Sequence, residues 1–232
     1  MKAAPQFDSF ADSYDAELNH ALAATGEDKG HFAKGRVLWL KHRMNELSQH
    51  PRSILDYGCG IGDTCGHLQA AFEAESVVGL DVSSSSIEMA RRRHGVGSDD
   101  FTTVAEYAAH GSVDLVYCNG VFHHIPVAMR ASALRYIFRC LRPGGWFGFW
   151  ENNFWNPGTR FVMANCSFDA DAITITAREA RRLLRDAGFE VVRTDFCFIF
   201  PRALRWLRFL EPGMAGLPLG AQYLVLCRRP RQ

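Results

Sequence analysis

Long apolar runs, a charge excess and an ordered cysteine pattern are all missing from this sequence. No window approaches the roughly 18 apolar residues that a membrane-spanning helix needs. The first residues, MKAAPQFDSFADSYD, are polar and acidic where a secretory leader would be apolar. Both features predict a soluble, cytoplasmic protein. Lys and Arg total 26 against 25 Asp and Glu, a balance of +1, which leaves no broad basic footprint for nucleic acid or an acidic membrane. The expected partner is a small, nearly neutral molecule. The seven cysteines form no CxxC pair and no Cys/His metal spacing, so neither a disulfide framework nor a metal site is expected. They read as reduced thiols, mostly buried. An internal repeat and a low-complexity linker are also lacking.

What is present is a chain of 232 residues, 47% hydrophobic and 22% charged, suited to one α/β domain with a sizeable core. Phe7, Phe10, Tyr14 and Leu18 recur at helical spacing over 5–20, and 31–48 reads as a second helix. SILDYG then resembles a buried parallel strand, DTCGHLQAAFEA a helix and SVVGLDV a second strand. SSSSIEMARRRHG opens with capping serines and closes with arginines and a glycine, which predicts a helix over 84–94. DFTTV and SVDLVYCNG read as strands, VAMRASALRYIFRCL as a helix that RPGG breaks, and WFGFWE as a fifth strand. Such alternation from 53 to 151 is the mark of a doubly wound sheet, with ligands beyond the carboxyl ends of its strands. Past 151 the period is lost, apart from a helix opened by the Thr176/Glu179 capping box and strand-like runs at 190–199 and 221–227. The division expected within one domain is a helical cap (1–48), a binding core (49–151) and a lid with the last strands (152–232).

The stretch DYGCGIGD places glycines at 58, 60 and 62 between a strand and a helix. There the backbone can turn with positive φ and a ligand can approach main-chain N–H groups. The dinucleotide fingerprint G-x-G-x-x-G has wider final spacing. Asp81 ends the next strand nineteen residues after Gly62, where an acid can accept hydrogen bonds from ribose hydroxyls. Asp56 and Asp63 flank the turn and would repel a pyrophosphate. A cationic, phosphate-free nucleoside fits better than NAD(P), and a plain glycine turn with a strand-end acid is the bland alternative.

ILDYGCGIGDT with VVGLDVSSSSIEMAR, followed by DLVYCNGVFHHI and LRPGGWFGFWE, resembles the motifs of class I S-adenosylmethionine-dependent methyltransferases of the small-molecule type, closely over about residues 50–152. The resemblance implies a Rossmann-like, doubly wound, mostly parallel sheet of seven strands, the last antiparallel, under an N-terminal helical cap. It implies S-adenosyl-L-methionine as cofactor and S-adenosyl-L-homocysteine as product. Position by position it puts Asp56, Gly58, Cys59, Gly60 and Gly62 around the methionine part, Asp81 on the ribose and Val82 on adenine. Ala105 and Glu106, in a loose version of the third motif, meet the adenine edge, and Cys118 and Asn119 face the methionine chain. Tyr14 in FADSYD matches a tyrosine that reaches the cofactor carboxylate, and is equally one position of a core-facing stripe.

Methyl transfer is an in-line displacement, so the protein must align the reactants and, for some acceptors, remove a proton. His123 and His124 follow the fourth strand and Glu151 ends the fifth, a base beside an orienting acid. One of the two histidines can instead be a structural hydrogen-bonding residue of this loop. Asn152, Asn153, Trp155, Asn156, Arg160 and Asp169 are candidate substrate residues in a long irregular segment, which could equally be a surface loop. Some members carry a histidine where this chain has Asn152. The stretch FIFPRALRWLRFLEP (198–212) reads as a surface packed on its own domain, a second subunit in a homodimer, a hydrophobic substrate or lipid. The expected function is methylation of a small molecule, most readily at oxygen, with nitrogen or carbon on a small, lipid-linked or glycan acceptor as the alternative. Nucleic-acid methylation lacks its Asn/Asp-Pro-Pro-aromatic motif, and an NAD(P)-dependent oxidoreductase lacks its glycine spacing.

Overall fold

The computed structural model describes residues 21–94, 100–166 and 171–231. Tyr14, Asp169 and the helix expected over 5–20 lie outside them. Seven strands form one sheet in the order β3-β2-β1-β4-β5-β7-β6. They are β1 (Ser53–Tyr57), β2 (Ser76–Asp81), β3 (Phe101–Thr103), β4 (Val113–Asn119), β5 (Leu141–Asn152), β6 (Glu190–Cys197) and β7 (Gln222–Arg228). β7 runs antiparallel to both neighbours, while β1 pairs in parallel with β2 and β4, and β4 with β5. This is the expected doubly wound sheet with its last strand reversed.

Alternate strand residues serve opposite faces. Leu55, Val116, Phe147 and Val225 pack on one face with Leu134 and Ile137 of α4 (Val127–Cys140) and Leu184 of α6 (Ala177–Asp186). Ile54, Leu115, Trp146 and Leu226 pack on the other with α1 (Lys29–Glu46), α2 (Cys65–Phe72) and α3 (Ser84–His94). Both faces are covered, which is why the strands read as continuous apolar runs.

α1 begins where the Asp28 side chain accepts the His31 N–H. One face of the helix carries Arg36, Leu40 and Arg43. Leu40 lies against Gly148 of β5, where a Cβ would meet its Cδ2 at 3.0 Å. The Arg43 Nε donates to the buried Asp195 of β6 at 2.6 Å, and the Trp39 indole N–H donates to the same carboxylate at 2.9 Å. These contacts fix the helix across β5, β7 and β6 and direct its first half over the carboxyl edge of the sheet.

The structure departs from the sequence reading in four places. The second helix spans Lys29–Glu46 rather than 31–48. Strand β5 starts at Leu141, pairing with Val113, so RPGG is an irregularity inside the strand rather than a gap before it. The segment read as irregular contains α5 (Pro157–Ala164), whose Asn156 cap accepts the Thr159 N–H ahead of Pro157 in the first turn. Between β6 and β7 lie a 3-10 helix (Arg202–Leu210) and the short α7 (Glu211–Met214). The Thr176/Glu179 capping box and the helix over 84–94 are as expected. Among the described residues no helix is long and apolar enough to cross a membrane, and no group of His, Cys, Asp or Glu could hold a metal ion.

Candidate functional site

A cavity of about 730 Å³ opens at the carboxyl edge of the sheet, floored by the ends of β1, β2, β4 and β5 and roofed by α1. This falls in the size range of small-molecule sites, roughly 300–1,000 Å³. Its first wall is the glycine turn after β1. Gly60 has φ +55 and nothing within 4 Å of a built Cβ, so this side of the turn faces open space. Gly58 is different: its Cβ would lie 2.2 Å from Val121 Cγ2, so that glycine is demanded by packing. Gly62 is likewise filled by Phe101 at 2.6 Å and lies off the cavity.

Asp81 ends β2 beside the turn. Its Oδ2 accepts the Gly60 N–H and its Oδ1 the Ser83 N–H, each at 2.9 Å. Both carboxylate oxygens thus act as hydrogen-bond acceptors on the cavity wall. Val82, next in the chain, is 60% exposed and lines the cavity. Cys59 and Val104 also line it, whereas Ala105 and Glu106 lie outside on the surface. The Glu106 Oε2 accepts the Thr103 N–H and the Thr102 and Thr103 hydroxyls, which holds the turn after β3. Cys118 is packed inside the sheet rather than in the cavity, and burial pushes its thiol well up.

Asp56 is buried at the end of β1 and reaches the cavity wall. Burial, with Asp81 nearby, pushes its carboxyl up to about 7, against the opposing Cys65 hydrogen bond and Arg36 charge. Asp63 is held in an ion pair by Lys29 of α1, with Arg93 3.9 Å away. The two acids thus do not stand as two bare negative charges against phosphate, as the sequence suggested. The preference for a phosphate-free nucleoside rests on the glycine spacing instead.

Arg36 was not among the expected site residues. It is buried and lines the cavity, its Nε donating to the Tyr117 hydroxyl at 3.2 Å and its Nη1 to Gln222 Oε1 at 2.9 Å. The Gln222 Nε2 in turn donates to Asn152 Oδ1 at 3.0 Å. Among the described residues no carboxylate lies within ion-pair distance of this guanidinium, so a buried cation borders the cavity with only neutral partners. The sequence signal was slight, one more basic residue on an amphipathic helix. Asn119, at the end of β4, also lines the cavity, and its buried Oδ1 has no hydrogen-bond partner among the described residues.

The histidine loop follows β4. His123 is 4% exposed, and its Nδ1 lies 2.6 Å from Glu151 Oε2. The other oxygen, Glu151 Oε1, accepts the backbone N–H groups of Phe122 at 2.8 Å and His123 at 3.2 Å. Burial acts to raise the Glu151 carboxyl, but His123 and the backbone donors outweigh it and hold the group below its ordinary value. The His124 ring lies 4.0 Å from that of His123, centroid to centroid, and both line the cavity. An Nδ1–H donated to Glu151 leaves Nε2 as the basic nitrogen of His123.

The expected substrate residues divide. Asn152 and Asn156 line the cavity. Asn153 does not: its buried amide donates to the carbonyls of Pro218 and Gly220 at 3.1 and 2.8 Å, tying the loop before β7. Trp155 is 76% exposed and Arg160 stacks over Phe154 on the outside. Composition alone could not separate inward from outward positions here. The segment 198–212 divides too, since Phe198 to Pro201 form cavity wall while Trp206 and Phe209 face outward.

A seven-stranded sheet with its last strand reversed, a glycine turn after β1 and an acid ending β2 beside it make up the class I, Rossmann-like methyltransferase fold. The comparisons agree. Residues 55–147 match the family described as Methyltransferase domain. A trans-aconitate 2-methyltransferase of Methylobacterium radiotolerans is 34% identical over 41% of this chain and 36% of that protein. A demethylmenaquinone methyltransferase of Symbiobacterium thermophilum is 31% identical over 67% of this chain and 60% of its own length. The chain therefore spans between about a third and three-fifths of these relatives. A SAM-dependent methyltransferase from Thermotoga maritima shares the fold with a TM-score of 0.63 at 18% identity, covering 96% of this chain and 98% of its own. The chain thus has the fold of the class I S-adenosylmethionine-dependent methyltransferases and resembles a methyltransferase domain over residues 55–147, a likeness that implies S-adenosyl-L-methionine as cofactor and S-adenosyl-L-homocysteine as product. The open face at Gly60, the two-oxygen acceptor Asp81 and the unpartnered Asn119 Oδ1 fit that cofactor.

Proposed function

We propose that the protein transfers a methyl group from S-adenosylmethionine to a small organic molecule, at an oxygen atom. The observation that carries this reading is the Glu151-held His123 on the same cavity as the Asp81–Gly60 wall. In its support, Asp81 would take the ribose hydroxyls and Val82 would cover adenine. Gly58, Cys59 and Gly60 would line the sulfur side. Asn119 would accept from the amino group of the methionine part and Arg36 would balance its carboxylate. When bound, the cofactor supplies an electrophilic methyl carbon on a sulfonium.

The chain's own work is alignment and proton removal. Glu151 fixes the His123 ring and stabilises its protonated form, and Nε2 takes the proton of an acceptor hydroxyl as its oxygen attacks. His124 stands beside it as the second candidate base. Asn152 and Asn156 border the acceptor space. Two measurements test this reading. Mass spectrometry of hydroxylated small molecules incubated with the protein and S-adenosylmethionine should reveal a methylated product and S-adenosylhomocysteine. Calorimetry showing tight NAD(P) binding and none for S-adenosylmethionine would overturn it.

A further inference from the structure

Among the described residues only Ser48, Glu73 and Phe198 have positive φ without being glycine. Ser48 and Glu73 are exposed positions just beyond the ends of α1 and α2. Phe198, at φ 62, is the one that lines the cavity. A bulky residue in the left-handed region is strained, and such strain persists only where the surroundings over-determine it. They do so here. The Ala221 N–H donates to the Phe198 carbonyl at 3.2 Å. Gly220 approaches so closely that a Cβ would lie 2.3 Å from the Cys197 carbonyl oxygen. The Phe198 ring lies on α1 at Gly35, where a Cβ would meet its Cε1 at 2.7 Å. Two glycines, one from the helical roof and one from the loop before β7, make room for this conformation.

The strained backbone aims an aromatic ring. Phe32, one turn before Arg36, meets Phe198 edge to face, with centroids 5.1 Å apart and planes at 70°. Phe200 lines the same wall, and Val162 and Met163 of α5 face the cavity with them. The charged groups of this wall are spent on one another: Arg208 Nη2 donates to Glu27 Oε1 at 3.0 Å, and His31 Nδ1 lies 3.7 Å from Glu27 Oε2. This wall therefore offers ring faces and edges with its own charges paired, while the guanidinium of Arg36, one turn on, is the one assigned above to the cofactor carboxylate.

We propose that Phe198, with Phe32, is the specificity-determining clamp for the acceptor, and that the acceptor is an uncharged hydroxylated aromatic ring compound. This rests on the methyl-transfer reading above and names its substrate class. A flat ring can add an offset or edge contact to each phenylalanine, which a saturated ring of equal size cannot match. The hydroxyl it carries is the group whose proton the histidine loop would take.

The test is calorimetric titration of the full chain, saturated with S-adenosylhomocysteine, with 2-naphthol and with its saturated counterpart decahydro-2-naphthol. The aromatic alcohol should bind about tenfold more tightly than the saturated one. Phe198→Leu and, separately, Phe32→Leu should each erase most of that difference while leaving the S-adenosylhomocysteine affinity unchanged. Two alcohols binding equally well, no binding of 2-naphthol to the loaded protein, or an unchanged ratio in both variants would overturn the aromatic clamp and leave the methyl-transfer reading standing. Failure of S-adenosylhomocysteine itself to bind would overturn both.

Discussion

His123 Nδ1 and Glu151 Oε2 meet at 2.6 Å in a buried pocket at the ends of two neighbouring strands, β4 and β5. The separation in sequence is 28 residues, and strand pairing alone brings the two loops together. Glu151→Gln keeps the shape but removes the charge that steadies a protonated ring. Turnover should fall by about 10²–10⁴, the usual worth of general acid–base catalysis. S-Adenosylhomocysteine affinity by calorimetry should stay unchanged. Equal turnover in the Glu151→Gln and His123→Asn variants and in the wild type would remove the pair from the mechanism.

Asp56 makes a prediction about pH. Its folded carboxyl titrates near 7, above the ordinary 3.8, because it is buried. A raised folded pKa means that its share of stability is fully present below 3.8 and is lost as pH rises toward about 7. Asp56→Asn lacks that titration. Relative to wild type, the variant should gain unfolding free energy between pH 4 and 7, by something on the order of a few kcal/mol. Denaturant unfolding at several pH values checks it, and a flat difference would show that the burial effect is absent.

Gly58 and Gly60 should respond differently to alanine. Gly58→Ala collides with Val121, so the melting temperature should drop by several degrees. Gly60→Ala has room and carries only the left-handed penalty, about 1–2 kcal/mol. Its methyl group enters the cavity, so cofactor affinity should suffer more than stability. Thermal melts beside calorimetric titrations with S-adenosylhomocysteine separate the two effects.

Arg36→Met should weaken S-adenosylhomocysteine binding by roughly 10–100-fold, the value of a charge-assisted hydrogen bond. Decarboxylated S-adenosylmethionine, which lacks the carboxylate, should bind wild type and variant alike. A variant that loses affinity equally for both ligands would place Arg36 in the framework rather than on the carboxylate.

Most of the fold was legible because its signals are local. Ser84 and the arginines mark both ends of α3, and Thr176 with Glu179 opens α6. Parallel strands announce themselves as apolar runs because both faces are covered. The misses have local causes too. α5 is eight residues long, too short for a helical period to stand out, and only the Asn156–Pro157 start could have given it away. RPGG carries the turn chemistry of a break, yet Leu141 already pairs with Val113. DYGCGIGD and the strand-end Asp81 read as a turn beside an acid, and the structure brings Gly60 and Asp81 together on the cavity wall. Arg36 was not legible, since its partner Gln222 lies 186 residues further along the chain. Trp155 and Arg160 were misplaced for the opposite reason, as polar and aromatic composition says nothing about which way a loop residue faces.

The match to the methyltransferase domain ends at residue 147. Asp56, Gly60, Asp81, Asn119 and His123 fall inside it, while Phe32, Val162, Phe198 and Gln222 fall outside. One cavity is thus built from residues on both sides of that boundary. A side chain at Gly35 would strike the Phe198 ring and one at Gly220 the backbone just before it, so neither glycine can be replaced without shifting Phe198, and the three positions form one packing unit.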